Sequence, residues 1–173
     1  MAQTTGTTKN VQPSRLDPKF KNEVLKEHDG ETLKVCFQCG TCTSSCPTAR
    51  FSDSYRPRTI LRMAQLGLRQ KVLTSPTLWL CTACFTCTDR CPQGVEVANV
   101  LRVLRNLAIK SGEIPLIYRE LANAINETGQ AYKIPEIKQK KRTETGLPPL
   151  PKPKPRDIAK LIESTHGSKL LKR

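Results

Sequence analysis

The chain has 173 residues and carries 29 Lys and Arg against 15 Asp and Glu, a net charge of +14, which bounds it to one domain plus tails. It contains no run of about 18 apolar residues, so no membrane-inserted helix is expected, and the first ten residues lack an apolar leader segment; the reading is cytoplasmic. Aromatic residues make up 5% and no nucleic-acid-binding module is visible, so the basic excess reads as docking to acidic protein surfaces rather than to nucleic acid.

Residues 1–15 are polar and Thr-rich and read as a flexible arm. Asp17-Pro18 has the form of an N-cap followed by a first-turn proline, and Phe20, Val24 and Leu25 recur at helical spacing, which predicts a helix over 18–28 packed on the loop that follows. That loop is Cys36-Phe37-Gln38-Cys39-Gly40-Thr41-Cys42-Thr43-Ser44-Ser45-Cys46-Pro47. Pro57 then opens a helix carrying Ile60, Leu61, Ala64 and Leu68, which Gly67 ends. Ser75-Pro76 repeats the cap-and-proline signature and starts a short helix with Leu78, Trp79 and Leu80. Arg50, Arg56, Arg58, Arg62, Arg69 and Lys71 make this insert basic; singly each reads as a solvated helix face, and together they border a docking surface.

The second loop, Cys81-Thr82-Ala83-Cys84-Phe85-Thr86-Cys87-Thr88-Asp89-Arg90-Cys91-Pro92, repeats the first 45 residues on. Val97, Val100, Leu101, Leu104, Leu107 and Ala108 then form the apolar stripe of a long helix, with Arg102, Arg105, Asn106 and Lys110 on its other face and Gly112 at its end. Pro115 starts a further helix through Leu116, Ile117, Leu121, Ala124 and Ile125, closed by Gly129. Residues 16–130 thus read as the folded domain. The remainder, 131–173, is a Lys/Pro-rich arm: Lys138 to Arg142 and the prolines from Pro148 to Pro155 cannot form a packed core, the prolines favour an extended conformation, and Ile158, Leu161 and Ile162 mark a short terminal helix. His28 and His166 stand apart from the cysteine pattern and read as surface residues.

All eight cysteines fall in two copies of Cys-x2-Cys-x2-Cys-x3-Cys-Pro. A disulfide framework would need an oxidising compartment, and zinc usually takes two Cys-x2-Cys pairs separated by a longer loop, which the third cysteine here crowds. Three thiolates two residues apart can instead hold three corners of a 4Fe-4S cubane, with loop N–H groups aimed at the sulfurs. In two-cluster ferredoxin patterns of this spacing the fourth cysteine ligates the other cluster, which assigns Cys36, Cys39, Cys42 and Cys91 to one centre and Cys81, Cys84, Cys87 and Cys46 to the second. Pro47 and Pro92 let the chain turn away without an orphan N–H. Phe37 and Phe85 are expected to keep the clusters dry, Trp79 to pack rather than to relay electrons, and Thr41, Thr43, Thr86 and Thr88 either to donate toward the sulfurs or to cap backbone groups. So small a domain would draw folding free energy from its metal, and the iron-free chain is expected to be largely unstructured.

The paired motifs, the helical insert, the Cys81–Cys87 loop and the run Cys91-Pro92-Gln93-Gly94-Val95 together resemble the iron-sulfur C subunit of heterodisulfide reductase. The likeness spans about 18–128. It implies an all-α helical ferredoxin with two cluster-binding loops and extended terminal arms, acting as a non-catalytic electron-transfer subunit. In that family the C subunit passes electrons from a flavin-bearing A subunit to a catalytic B subunit, which reduces the mixed disulfide of coenzyme M and coenzyme B in methanogenesis. A hydrogenase or formate dehydrogenase attached to the complex is the further partner implied. Two alternatives carry different expectations: the iron-sulfur subunit of a quinone-linked or sulfur-oxidising complex, and a metal-stabilised nucleic-acid-binding protein whose affinity would fall steeply with salt.

Overall fold

A computed structural model describes residues 16–132, 134–150 and 155–165. They are helical, with no strand among them. The expected 1–15 arm, His166 and the prolines over 151–154 lie outside the described residues. By packing, the chain divides into two units, Met1–Leu107 and Ala108–Arg173.

In the first unit α1 (Phe20–Lys26) buries Phe20 and Val24 against a 3₁₀ turn, Glu31–Val35, and against α4 (Pro57–Gln65). The helix starts later than Asp17-Pro18 suggests. Asp17 stands two residues ahead of the N-cap position, Lys19; one carboxylate oxygen accepts the Lys19 N–H at 3.0 Å and the other meets Arg69 Nε at 2.7 Å. Arg69 also pairs with Glu23 and stacks 4.8 Å from the centroid of the Phe20 ring. The guanidinium hydrogen bond holds the Asp17 carboxyl below its ordinary range.

Proline at the first position opens α4, whose Ile60, Leu61 and Ala64 enter the core. Its end is fixed at Gly67, where φ is 75°. The Gly67 carbonyl accepts the Asp17 N–H at 2.8 Å, and a β-carbon on Gly67 would collide with the Asp17 carbonyl. Only glycine meets both conditions. The chain then forms α5 (Arg69–Leu73), a short helix not expected from the sequence, which buries Val72 and Leu73. The segment after Ser75 is a 3₁₀ turn, Pro76–Leu80, rather than an α-helix.

Short helices α2 (Thr41–Ser44) and α6 (Thr86–Asp89) follow the two cysteine loops and pack on each other. Between α2 and α4 lies α3 (Pro47–Phe51). The long helix α7 (Val97–Lys110) buries Val97, Val100, Leu101, Leu104 and Leu107, as the stripe predicted. Its Arg102 reaches Asp29 at 2.6 Å; that hydrogen bond lowers the Asp29 carboxyl, and exposed His28 lies 3.1 Å from the same residue.

The repeat in sequence is thus a repeat in structure. Each half runs 3₁₀ turn, cysteine loop, short helix, Cys-Pro, and the turns and short helices recur 45 residues apart.

In the second unit α8 (Leu116–Thr128) ends at Gly129, with φ 72°, and packs with α10 (Pro155–Ser164). Residues 136–144, for which no helix was expected, form α9 (Glu136–Glu144) without burying a side chain. Among the described residues no helix is long and apolar enough to cross a membrane.

Candidate metal centre

Each cysteine loop reverses its path through two left-handed residues. Gln38 and Gly40 have φ of 67° and 91°, and Ala83 and Phe85 have φ of 52° and 62°. Three of these four are not glycine, so the conformation is imposed against local preference at both loops. Its effect is to fold the backbone around the sulfurs: the Ala83 N–H points at Cys81 Sγ at 3.4 Å. Past each Cys-Pro a second donor appears only in the later copy, where the Val95 N–H meets Cys91 Sγ at 3.3 Å.

Two concavities result. The first encloses about 340 Å³, part of it open to solvent, and its wall includes Cys36, Cys39, Cys42 and Cys91 with Phe37, Arg58, Leu61 and Val97. The second encloses about 280 Å³, and its wall includes Cys46, Cys81, Cys84 and Cys87 with Tyr55, Phe85 and Ala98. The fourth cysteine of each motif therefore stands with the first three of the other. Among the described residues no three His, Cys, Asp or Glu side chains converge at the spacing of a single ion. Thiolates that hold the corners of a cluster stand around a volume rather than a point, and four cysteines around each concavity fit that donor set.

Exposure and charge repeat in the same way. Cys39 and Cys84 face outward, and Cys42 and Cys87 are buried on the helices α2 and α6 that pack together. The Thr41 hydroxyl, 3.3 Å from Cys39 Sγ, is the main cause that lowers the Cys39 thiol, with the Arg58 charge a lesser one. Thr86 does the same for Cys84, 3.5 Å away. Burial raises the Cys42 thiol and pushes Cys87 up to about 11, helped by the neighbouring sulfurs, that of Cys42 among them.

The threonines fill both expected roles. Thr41 and Thr86 lie on sulfurs, Thr88 Oγ1 accepts the Ala98 N–H at 3.1 Å, and Thr43 does both, its hydroxyl bonding the Cys42 sulfur while Oγ1 accepts the Arg58 N–H at 3.0 Å. Thr43 and Thr88 thereby satisfy first-turn N–H groups of α4 and α7 and tie each loop to the long helix that follows it in the chain. Phe37 and Phe85 do line the two concavities, yet they remain 59% and 40% exposed. Trp79 lines neither; its ring lies 5.8 Å from the Arg105 guanidinium.

Three supporting residues were not picked out in the sequence. Gln65 donates to Leu33 O at 3.2 Å and Cys36 O at 2.9 Å and accepts from Gln38, whose amide also reaches Cys36 Sγ at 3.4 Å. Arg105, expected on the solvated face of its helix, instead donates to Leu78 O at 3.0 Å and Cys81 O at 2.7 Å. Tyr55 is buried, and burial followed by hydrogen bonding with the Cys81 sulfur pushes its phenol above the ordinary range. Replacing Arg105 with alanine strands two carbonyls at the entry to the second loop. The expected loss is about 2–3 kcal/mol of stability, read as faster bleaching of the protein's visible absorbance under a chelator.

A family model for a 4Fe-4S dicluster domain matches residues 32–95. The C subunit of the ferredoxin:CoB-CoM heterodisulfide reductase of Methanosarcina mazei is 41% identical over 134 residues, 76% of this chain and 82% of the relative. The iron-sulfur C subunit of the CoB–CoM heterodisulfide reductase of Methanopyrus kandleri is 36% identical, with 93% of this chain and 90% of the relative covered. The C subunit of the H(2):CoB-CoM heterodisulfide,ferredoxin reductase of Methanothermobacter marburgensis is 34% identical, with 82% and 75% covered. Likeness at this level over most of both chains, on a helical frame that gathers all eight cysteines, places the chain in the family of heterodisulfide reductase iron-sulfur C subunits.

Proposed function

We propose that the chain is a two-cluster electron relay, with one 4Fe-4S cluster on Cys36, Cys39, Cys42 and Cys91 and the second on Cys81, Cys84, Cys87 and Cys46. It passes single electrons from the flavin-bearing A subunit to the catalytic B subunit, which reduces the coenzyme M–coenzyme B heterodisulfide, in a complex that also carries a hydrogenase or formate dehydrogenase. The observation that supports this best is the sorting of eight cysteines into two fours, each completed by the other motif's last cysteine. Bound clusters supply reversible one-electron storage over a potential range that the protein tunes.

The chain's own residues supply the rest. Thr41, Thr86, Gln38 and the N–H groups of Ala83 and Val95 offer donors to sulfur charge. Packing of α2 on α6 keeps the inner ligands Cys42 and Cys87 dry and close to each other, which favours transfer between the centres. Exposed Cys39 and Cys84 give each centre an outward edge for exchange with a partner. With every cysteine used as a ligand, no thiol remains for disulfide chemistry, and that step falls to the catalytic subunit.

Iron, acid-labile sulfide and zinc measured on the anaerobically purified chain, followed by electron paramagnetic resonance of the dithionite-reduced sample, test the centres. About eight iron and eight sulfide with two interacting reduced cubanes are expected; zinc, or one cluster's worth of iron after reconstitution, overturns the reading. Reconstitution with the flavin-bearing and catalytic subunits tests the relay: heterodisulfide reduction that proceeds equally well without this chain refutes it.

A further inference from the structure

The wall of the second concavity contains a side chain with no counterpart in the first. Tyr55 is 1% exposed and stands beside Cys46, Cys81, Cys84 and Cys87. The corresponding apolar wall of the first is made by Leu61, Val95 and Val97. Tyr55 belongs to neither cysteine motif; it lies in the turn between α3 and α4. That turn is braced: the Tyr55 N–H donates to Ser52 O at 3.2 Å. Arg56 Nη1 donates to Ala49 O, Ser52 O and Tyr55 O at 3.0, 3.0 and 3.1 Å, while Arg56 Nη2 meets Asp53 Oδ1 at 2.8 Å. The backbone on both sides of Tyr55 is therefore held in place, and the buried ring stands in the wall formed with the sulfurs of the second centre, where Cys81 is the one its hydroxyl interacts with.

A buried phenol with an apolar body has to satisfy its hydroxyl locally. Near neutral pH it keeps its proton, since free tyrosine titrates at about 10, and a ligating thiolate has only acceptor capacity. The polarity of the contact is then settled: oxygen donates and sulfur accepts.

We propose that Tyr55 selectively raises the reduction potential of the second cluster by donating its phenolic hydrogen to Cys81 Sγ. This rests on the ligand assignment made above. One electron entering the cluster increases the negative charge on its sulfurs, so a donor favours the reduced form more than the oxidised one, and does so more strongly in a dry site. No bond breaks and the proton stays on the tyrosine oxygen throughout. Peptide donors such as the Ala83 N–H act in the same sense, and at the first centre the Gln38 amide reaches Cys36 Sγ at 3.4 Å. Tyr55 is the buried phenol of the second wall, so its hydroxyl acts on the second couple and leaves the first to its own donors.

The test is a potentiometric titration, followed by electron paramagnetic resonance, of the cluster-loaded full chain as wild type and as Tyr55→Phe. The aromatic ring is retained and only the donor is lost. One of the two couples is expected to shift at least tenfold toward the oxidised form, about 59 mV for a one-electron step, while the other stays in place. Fluorotyrosine at position 55, in a Tyr118→Phe, Tyr132→Phe background, keeps the hydroxyl and makes it a stronger donor; it shifts the same couple the opposite way. The fluorinated chain decides the matter if Tyr55→Phe does not load both clusters. Wild-type protein with fewer than two clusters overturns the ligand assignment and this inference with it. Two clusters whose couples ignore both changes, or move together, overturn this inference alone.

Discussion

Replacing Cys91 with alanine is expected to alter the same reduced-cluster signal as replacing Cys39, and replacing Cys46 the same signal as replacing Cys84. In sequence Cys91 is four residues from Cys87 and 52 from Cys39, so proximity along the chain would pair it the other way. The crossed pairing is the one expected from the walls of the two concavities. The three cysteines spaced by two lie on a loop that wraps one concavity, and the three-residue step through α6 carries Cys91 out of its own loop to the wall it shares with Cys36, Cys39 and Cys42. The same step through α2 carries Cys46 to the second wall. Losing one of four thiolates removes or truncates a cluster, so iron should fall from about eight toward about four per chain in each single variant. Because each motif supplies ligands to both centres, the effect on folding is also large: one lost cluster unties both loops from each other. The four variants compared by iron content and by spectrum decide the pairing. A Cys91→Ala spectrum that groups with Cys84→Ala would mean that each motif holds its own cluster, and would leave the crossed walls without a function.

That crossing rests on a repeat that is legible in the sequence, as are the ends of the longer helices α4, α7 and α8, whereas the short helices α2, α3, α5 and α6 were not foreseen. Pro57, Gly67, Gly112 and Gly129 act through their own backbone chemistry, with effects that stay local, and each stands where a helix starts or stops. What escaped sequence reading acts at long range. Periodicity places Arg105 on the polar face of α7 but cannot say that its guanidinium turns back to carbonyls 24 and 27 residues earlier. Gln65 reads as an ordinary polar position on α4, yet its amide closes bonds to Leu33 and Cys36, 32 and 29 residues earlier. Tyr55 is a single aromatic in a polar stretch, Ser52-Asp53-Ser54-Tyr55-Arg56, with no period to announce burial; the signal available was the lone aromatic itself, one residue ahead of an Arg-Pro helix start. Asp17 shows a shift along the chain: its carboxylate does accept a backbone N–H at the helix entry, that of Lys19, while its other oxygen pairs with Arg69, but the helix itself begins at Phe20.

Iron removal is expected to cost most of the fold and to reverse the pH dependence of the helical packing that survives. With metal bound, the ligands must be thiolates, so acid competes with iron for sulfur and the holo protein fails as pH falls. Without metal, the buried thiols prefer to keep their protons. Burial and the neighbouring sulfurs raise Cys87 from 9.0 to about 11, and burial moves Cys42 in the same direction. A group whose folded value is raised stabilises the fold fully below its unfolded value and loses that contribution as pH climbs through the folded one. The helical signal that survives chelation should therefore fade between about pH 9 and 11, a window in which the holo protein is unaffected. Asp17 and Asp29 add a limb common to both forms. Arg69 and Arg102 hold these carboxyls below 3.8, so their stabilisation is present above that value and is lost as pH falls through the lowered one. Far-ultraviolet circular dichroism against pH, on holo and chelated samples side by side, separates the limbs. Chelated protein whose helicity is flat from pH 8 to 11 would show that the thiols of α2 and α6 no longer face each other once iron is gone, and would place the loss of packing before any titration. Helicity that falls in that window in the chelated sample alone ties the contact between α2 and α6 to protonated sulfur, and makes cluster ligation the step that converts an alkali-sensitive pair of loops into one that is sensitive to acid.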